Sequence, residues 1–178
     1  MKNKILPTLL LVLIFTISLN AATFTVNSTN DGVDANVGDN VCQTATLGEC
    51  TLRAAIGEAN FAAGIDSINF NISGAGVKTI LPNSILPDII QPLTIDGYTQ
   101  PGASVNTALT TDNAVILIEI DGTNAGAGAN GFVLLGNFRL DFARFGDQSF
   151  RARRNFAFGR RQQYYQRQFY RHGRDRID

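Results

Sequence analysis

The 178-residue chain is 44% hydrophobic and formally neutral, with enough apolar material for one core of ordinary size. The neutrality sums two unlike parts: residues 23–137 carry Arg53 and Lys78 against eleven acids, whereas residues 138–178 carry eleven Arg against four acids. An evenly mixed surface along the whole chain is thereby excluded, and two cysteines with a single histidine leave little material for a Cys/His metal centre or a Ser-His-Asp triad.

In chain order, the first feature is an address. Lys2 and Lys4 precede an almost wholly apolar run over 5–19, which ends on the small residues Ala21 and Ala22. This is the order of a secretory signal peptide over 1–22, with cleavage expected near Ala22. A membrane anchor wants about 20 apolar residues, and this run is shorter and broken by Pro7, Thr8 and Thr16. No transmembrane span is expected after cleavage. Export permits a disulfide, so Cys42 and Cys50 read as a pair; two free thiols or half of a metal site is the competing reading.

Phe24-Thr25-Val26 reads as a short strand, followed by a Gly, Asp and Asn-rich loop over 27–40. After Cys50 the period changes. Thr51 can act as N-cap, and Leu52, Ala55, Ile56 and Ala59 fall at helical spacing, which predicts one apolar stripe on a helix over 52–62, ended by Gly64. Beyond Gly64 the runs 67–72, 93–95, 116–120 and 132–135 read as strands, and two of them lead into Asp96-Gly97 and Asp121-Gly122. The 25-residue interval between those aspartates matches the period of one solenoid coil. A parallel β-helix and a sandwich with hairpins both fit short strands, and the long loops favour the former.

The segment Cys50-Thr51-Leu52-Arg53-Ala54-Ala55-Ile56-Gly57-Glu58-Ala59-Asn60 resembles the signature of the CSLREA domain, Cys-Ser-Leu-Arg-Glu-Ala-Ile followed by an Ala-Asn pair. Thr51 stands for its Ser and Ala54 for its Glu. Upstream Asp34, Asn36, Gly38, Asp39 and Cys42, and downstream Asp96-Gly97-Tyr98-Thr99-Gln100-Pro101-Gly102, resemble the same family, so that the likeness spans 23–136. The resemblance implies an all-β chain with a short capping helix: a cap over 23–64 and the first coils of a right-handed parallel β-helix over 65–137, the truncated start of a longer bacterial secreted or surface protein. In that reading the helix, with Leu52, Arg53, Ile56, Ala59 and Asn60, covers the open edge of the first coil. Arg53 is expected to be a fork bonding loop carbonyls or a carboxylate such as Asp34 or Asp39.

Residues 138–178 have seven Phe, three Tyr and no Lys, Val, Thr or Pro. An Arg and aromatic-rich arm of this kind suits nucleic acid, a partner that an exported protein rarely meets, and no nucleic-acid partner is expected. Dropping the first base of each codon permits a Gly, Asn and Ile-rich string from Gly159 to His172, so the tail reads as out of frame, with no chemistry assigned to it and an irregular or spuriously helical conformation expected.

Asp31, Asp34, Asn36 and Asp39 share one loop and offer oxygen ligands suited to calcium, although the same residues build Asx turns. Otherwise no cofactor is expected. Asp96, Glu119 and Asp121 invite a carbohydrate-cleaving reading, but Asp96 and Asp121 precede Gly at strand ends, as turn residues do. No catalytic residue is assigned. Two functions follow: a structural, adhesive or ligand-display module meeting an extracellular glycan or protein surface, and a fragment of a β-helical polysaccharide lyase or hydrolase.

Overall fold

The computed structural model describes residues 21–111, 113–127, 129, 131–135, 140–142 and 150–153. Residues 1–20 of the expected signal segment over 1–22 and most of the tail, including His172, lie outside the described residues.

Among the described residues, seven short strands form two small sheets and one helix packs with them. The first sheet runs in the order β1 (Thr23–Val26), β2 (Asp66–Phe70), β4 (Leu93–Asp96) and β6 (Leu140–Phe142); the second runs β3 (Lys78–Ile80), β5 (Ile118–Asp121) and β7 (Phe150–Arg153). Every strand pairing is parallel. Alternation decides which side chains turn inward: Phe24 and Val26 on β1, Ile68 and Phe70 on β2, and Leu93 and Ile95 on β4 are buried. The register lines up Phe24, Ile68 and Ile95 across the first sheet and Ile80 with Ile120 across the second. One apolar cluster takes in both rows together with Leu52 and Ile56 of the helix, so the sheets and the helix share a core.

Helix α1 spans Leu52–Ala59. Thr51 is its N-cap, with extended backbone and a hydroxyl that accepts the Ala54 amide at 3.1 Å and donates to the Gly32 carbonyl at 2.6 Å. The helix ends earlier than the expected residue 62 because Asn60 leaves it to bind the segment beside β4: its Nδ2 donates to the Asp88 carbonyl at 2.8 Å and its Oδ1 accepts the Ile90 amide at 2.9 Å. Gly64 does have positive φ, but four residues beyond the C-cap. The single apolar stripe is also too narrow a description. Arg53, Ala54 and Glu58 are buried along with Leu52, Ala55, Ile56 and Ala59, because the loop between β1 and α1 covers the helix face opposite the sheets.

The all-β, β-helical architecture expected from the sequence is corrected by this arrangement, which is mixed α/β: short parallel strands in two small sheets with a helix in the core and, among the described residues, no closed or solenoid β-helix. The 25-residue interval does not mark one coil. Asp96 ends a strand of the first sheet and Asp121 a strand of the second, so the two Asp-Gly corners are not successive turns of one stack. The expected strand over 132–135 reduces to one isolated parallel bridge between Leu134 and Ile89. Lys78–Ile80, three residues long, is a strand that the alternation did not single out.

The tail, expected to be irregular or helical, contributes the strands β6 and β7, which pair with β4 and β5. The physical reason is that an open parallel edge offers unpaired backbone donors and acceptors, and any extended segment satisfies them whatever its composition. Among the described residues, no helix is long and apolar enough to cross a membrane.

Candidate functional site

The loop between β1 and α1 is tied at both ends. The Asn27 amide donates to the Cys50 carbonyl at 3.0 Å, the Cys50 amide returns to Asn27 Oδ1 at 2.9 Å, and Asn27 Nδ2 donates to the Gly48 carbonyl at 2.8 Å. Cys42 and Cys50 form a disulfide with Cα atoms 5.2 Å apart. Its loop is short, so the chain-entropy contribution is about 2.5 kcal/mol. Cys42→Ser or Cys50→Ser is expected to lower the unfolding free energy by about that amount in urea titration. Intact-mass analysis of the unreduced protein should show no alkylatable thiol.

Arg53 and Asp31 form the buried ion pair of this region. Arg53 Nε and Nη2 donate to Asp31 Oδ1 and Oδ2, each at 2.9 Å, with side-chain exposures of 9% and 6%. The same guanidinium donates from Nη1 to the Ile85 carbonyl at 2.8 Å and from Nη2 to the Ser84 carbonyl at 3.0 Å. Asp31 Oδ2 also accepts the Asn83 amide at 2.8 Å. Arg53 therefore pins the segment before β4 to the cap loop, and its carboxylate is Asp31 instead of Asp34 or Asp39.

This pairing removes Asp31 from the calcium set read in the sequence. The carboxylates that do converge are Asp34, Asp39 and Glu58, with oxygens within 4.8 Å of one another. Asn36 is exposed, and its amide donates to Asp34 Oδ1 at 2.8 Å. Asp34 Oδ2 accepts the Gln43 amide and Asp39 Oδ1 the Val41 amide, each at 2.8 Å. Glu58 is fully buried; its two oxygens accept the amides of Gly38 at 2.7 Å and Asn40 at 2.9 Å. Gly38 and Asn40 both have left-handed backbone, φ 96° and 64°, which turns their two amides onto one carboxylate. In chemical terms the cluster folds the acidic loop over the outer face of the helix. Glu58 lies off the apolar stripe, so helical spacing alone does not single it out. The available signal was the small residues Ala54 and Gly57 on the supposed solvent face, where a loop approaches closely: Val37 Cγ2 lies 3.9 Å from the position of a Cβ on Gly57.

Burial pushes the Glu58 carboxyl up from its ordinary value and outweighs its two amide bonds, with the neighbouring charges of Asp34 and Asp39 adding to the rise. Glu49 moves the other way. Hydrogen bonds from the Thr44 hydroxyl (2.6 Å), Asn30 Nδ2 (2.6 Å) and the Ser28 hydroxyl (2.8 Å) hold its carboxylate below the usual range. A carboxyl raised in the folded state stabilises the fold below its unfolded value, and that contribution is lost as pH rises through the raised value; a depressed one is lost as pH falls through the lowered value. Stability is therefore expected to decline from mildly acidic toward neutral pH because of Glu58, and toward strong acid because of Glu49. In Glu58→Gln the decline toward neutral pH should flatten even though the variant is less stable throughout, since an amide N–H₂ would face a backbone N–H. Urea midpoints across this pH range are the measurement.

The acids considered for carbohydrate cleavage are engaged in turns and pairing. Asp96 Oδ1 accepts the Tyr98 amide at 2.9 Å and Asp121 Oδ1 the Thr123 amide at 3.0 Å, each capping a short 3₁₀ turn. Glu119 is buried and accepts the Thr79 hydroxyl at 2.8 Å across the β3–β5 pair. Beside the cap lies an open polar concavity whose lining includes Asn27, Ser28, Thr29, Asn30, Ser73 and Lys78. Comparison of the chain with protein-family models, with curated proteins and with solved structures finds no match.

Proposed function

We propose that this chain is an exported structural or ligand-display module of the bacterial cell surface, related through its cap to the CSLREA-like proteins it resembles. The observation that carries the reading is how the cap spends its chemistry. Asp31, Asp34, Asp39, Arg53 and Glu58 all bond loop backbone, and a disulfide closes the same loop. Groups so committed hold a shape, whereas catalysis needs an acid or base with a free face toward substrate. The polar concavity supplies the display surface: Thr29 and Ser73 put hydroxyls on its lining that match the hydrogen-bonding character of sugar hydroxyls, while Asn27, Ser28 and Asn30 hold its wall through Gly48, Cys50 and Glu49.

The test is to present the exported, oxidised full chain to an array of bacterial and plant polysaccharides while assaying for new reducing ends and unsaturated uronates. Retention of a glycan without cleavage is the expected result. Cleavage would overturn the display reading in favour of a polysaccharide lyase or hydrolase, and failure to bind any glycan would remove the concavity as its ligand surface.

A further inference from the structure

Asp66, the first residue of β2, is fully buried in the parallel ladder that joins β2 to β1. Its Oδ1 accepts the amide of Ala22 at 2.7 Å, while the Ala22 carbonyl accepts the Ser67 amide at 2.9 Å. Its Oδ2 is buried and has no hydrogen-bond partner among the described residues. Arg53 and Lys78, the two basic residues between 21 and 135, bond elsewhere, at Asp31 and at the Ala75 carbonyl. A buried carboxyl oxygen with no donor is costly. A group carrying more than one N–H at the position of the Ala22 nitrogen would supply donors to both oxygens.

We propose that the chain is cut at the Ala21–Ala22 bond and that Asp66 is the receptor for the α-ammonium so released. Hydrolysis breaks the Ala21–Ala22 C–N bond; water gives its hydroxyl to the Ala21 carboxyl and its proton to the Ala22 nitrogen, which takes a second proton from solvent. The resulting ammonium keeps the bond to Oδ1 and gains a donor for Oδ2, so one event neutralises the charge and satisfies the orphan atom. Ala21 is a small residue at the expected processing point and is exposed, whereas Ala22 is already packed against the core cluster. The leader would then do more than address the chain: its removal completes the edge of the first sheet.

This inference rests on the exported reading, and the experiment separates the two. The full chain with its own leader is produced in a bacterial host, and the exported fraction is subjected to N-terminal sequencing. A start at Ala22 is expected. A start at Thr23 or any other residue overturns the inference and leaves export intact, while an uncut, unexported chain overturns both. The purified protein and Asp66→Asn are then compared in urea, each with free amines and after acetylation in denaturant followed by refolding. Lys78 is the one lysine after residue 4, so its modification is common to both chains. Acetylation should lower the folding equilibrium constant by roughly tenfold or more when Asp66 is present, and by clearly less in Asp66→Asn. Equal losses would sink the idea. If Asp66→Asn fails to fold, labelling of the native wild type decides: its α-amine should acetylate about tenfold more slowly than in the unfolded chain, and equal rates overturn the proposal.

Discussion

Ile56→Asp is expected to abolish the native state. Ile56 is fully buried in α1 and belongs to the apolar cluster that includes Phe24, Ile68 and Phe70, so a carboxylate there has no solvent and no hydrogen-bonding partner placed for it. Burial of an unpaired polar or charged group together with loss of a core side chain costs about 5 kcal/mol or more, comparable to the whole stability of a small domain. Circular dichroism and limited proteolysis should both report an unfolded chain. The adjacent position makes the control. Gly57 has ordinary helical backbone, and an added Cβ would meet only Val37 Cγ2 at 3.9 Å, so Gly57→Ala should stabilise the protein by about 0.5–1 kcal/mol. Opposite signs at neighbouring residues separate a defect of burial from a general intolerance of the helix. A protease-resistance profile unchanged by Ile56→Asp would refute the buried placement of the helix.

The second large effect is expected at Arg53. Arg53→Met leaves the Asp31 carboxylate 6% exposed without its bidentate partner and takes two donors from the carbonyls of Ser84 and Ile85. Breaking a buried pair from one side costs about 3–5 kcal/mol. Arg53→Lys should recover less than half of that loss, because a single ammonium cannot reproduce a planar fork that reaches both carboxylate oxygens and two carbonyls. Arg53→Met combined with Asp31→Leu should be more stable than Arg53→Met alone, since the uncompensated charge is gone. Urea unfolding of the three variants tests the ordering. Lysine performing as well as arginine would show that charge alone, without the fork geometry, holds the cap loop to the segment before β4.

Much of the local structure is legible without coordinates because it depends on near neighbours. Thr51 as N-cap needs only an amide three residues on, and the helical spacing of Leu52, Ala55, Ile56 and Ala59 needs only the 3.6 period. Alternation along 67–72 and the short run at 93–95 locate β2 and β4 for the same reason, and the two cysteines can pair because they lie only eight positions apart. What the tertiary structure decided is everything in which an element must choose a partner. Parallel pairing uses backbone groups common to all residues, so nothing in Asp96-Gly97 or Asp121-Gly122 says that one belongs to the first sheet and the other to the second. That choice replaced the expected β-helix with two small sheets. Ion pairs are equally nonlocal: Asp31 rather than Asp34 or Asp39 meets Arg53 because Oδ2 of Asp31 also meets the Asn83 amide, 52 positions away. Glu58 reads as a solvent-facing helix acid until the loop folds over it and supplies the amides of Gly38 and Asn40. Asp66 lies just outside the expected run over 67–72, and nothing local marks it until β1 lies beside it, since a carboxylate acquires an unmet need only when another element has closed off water.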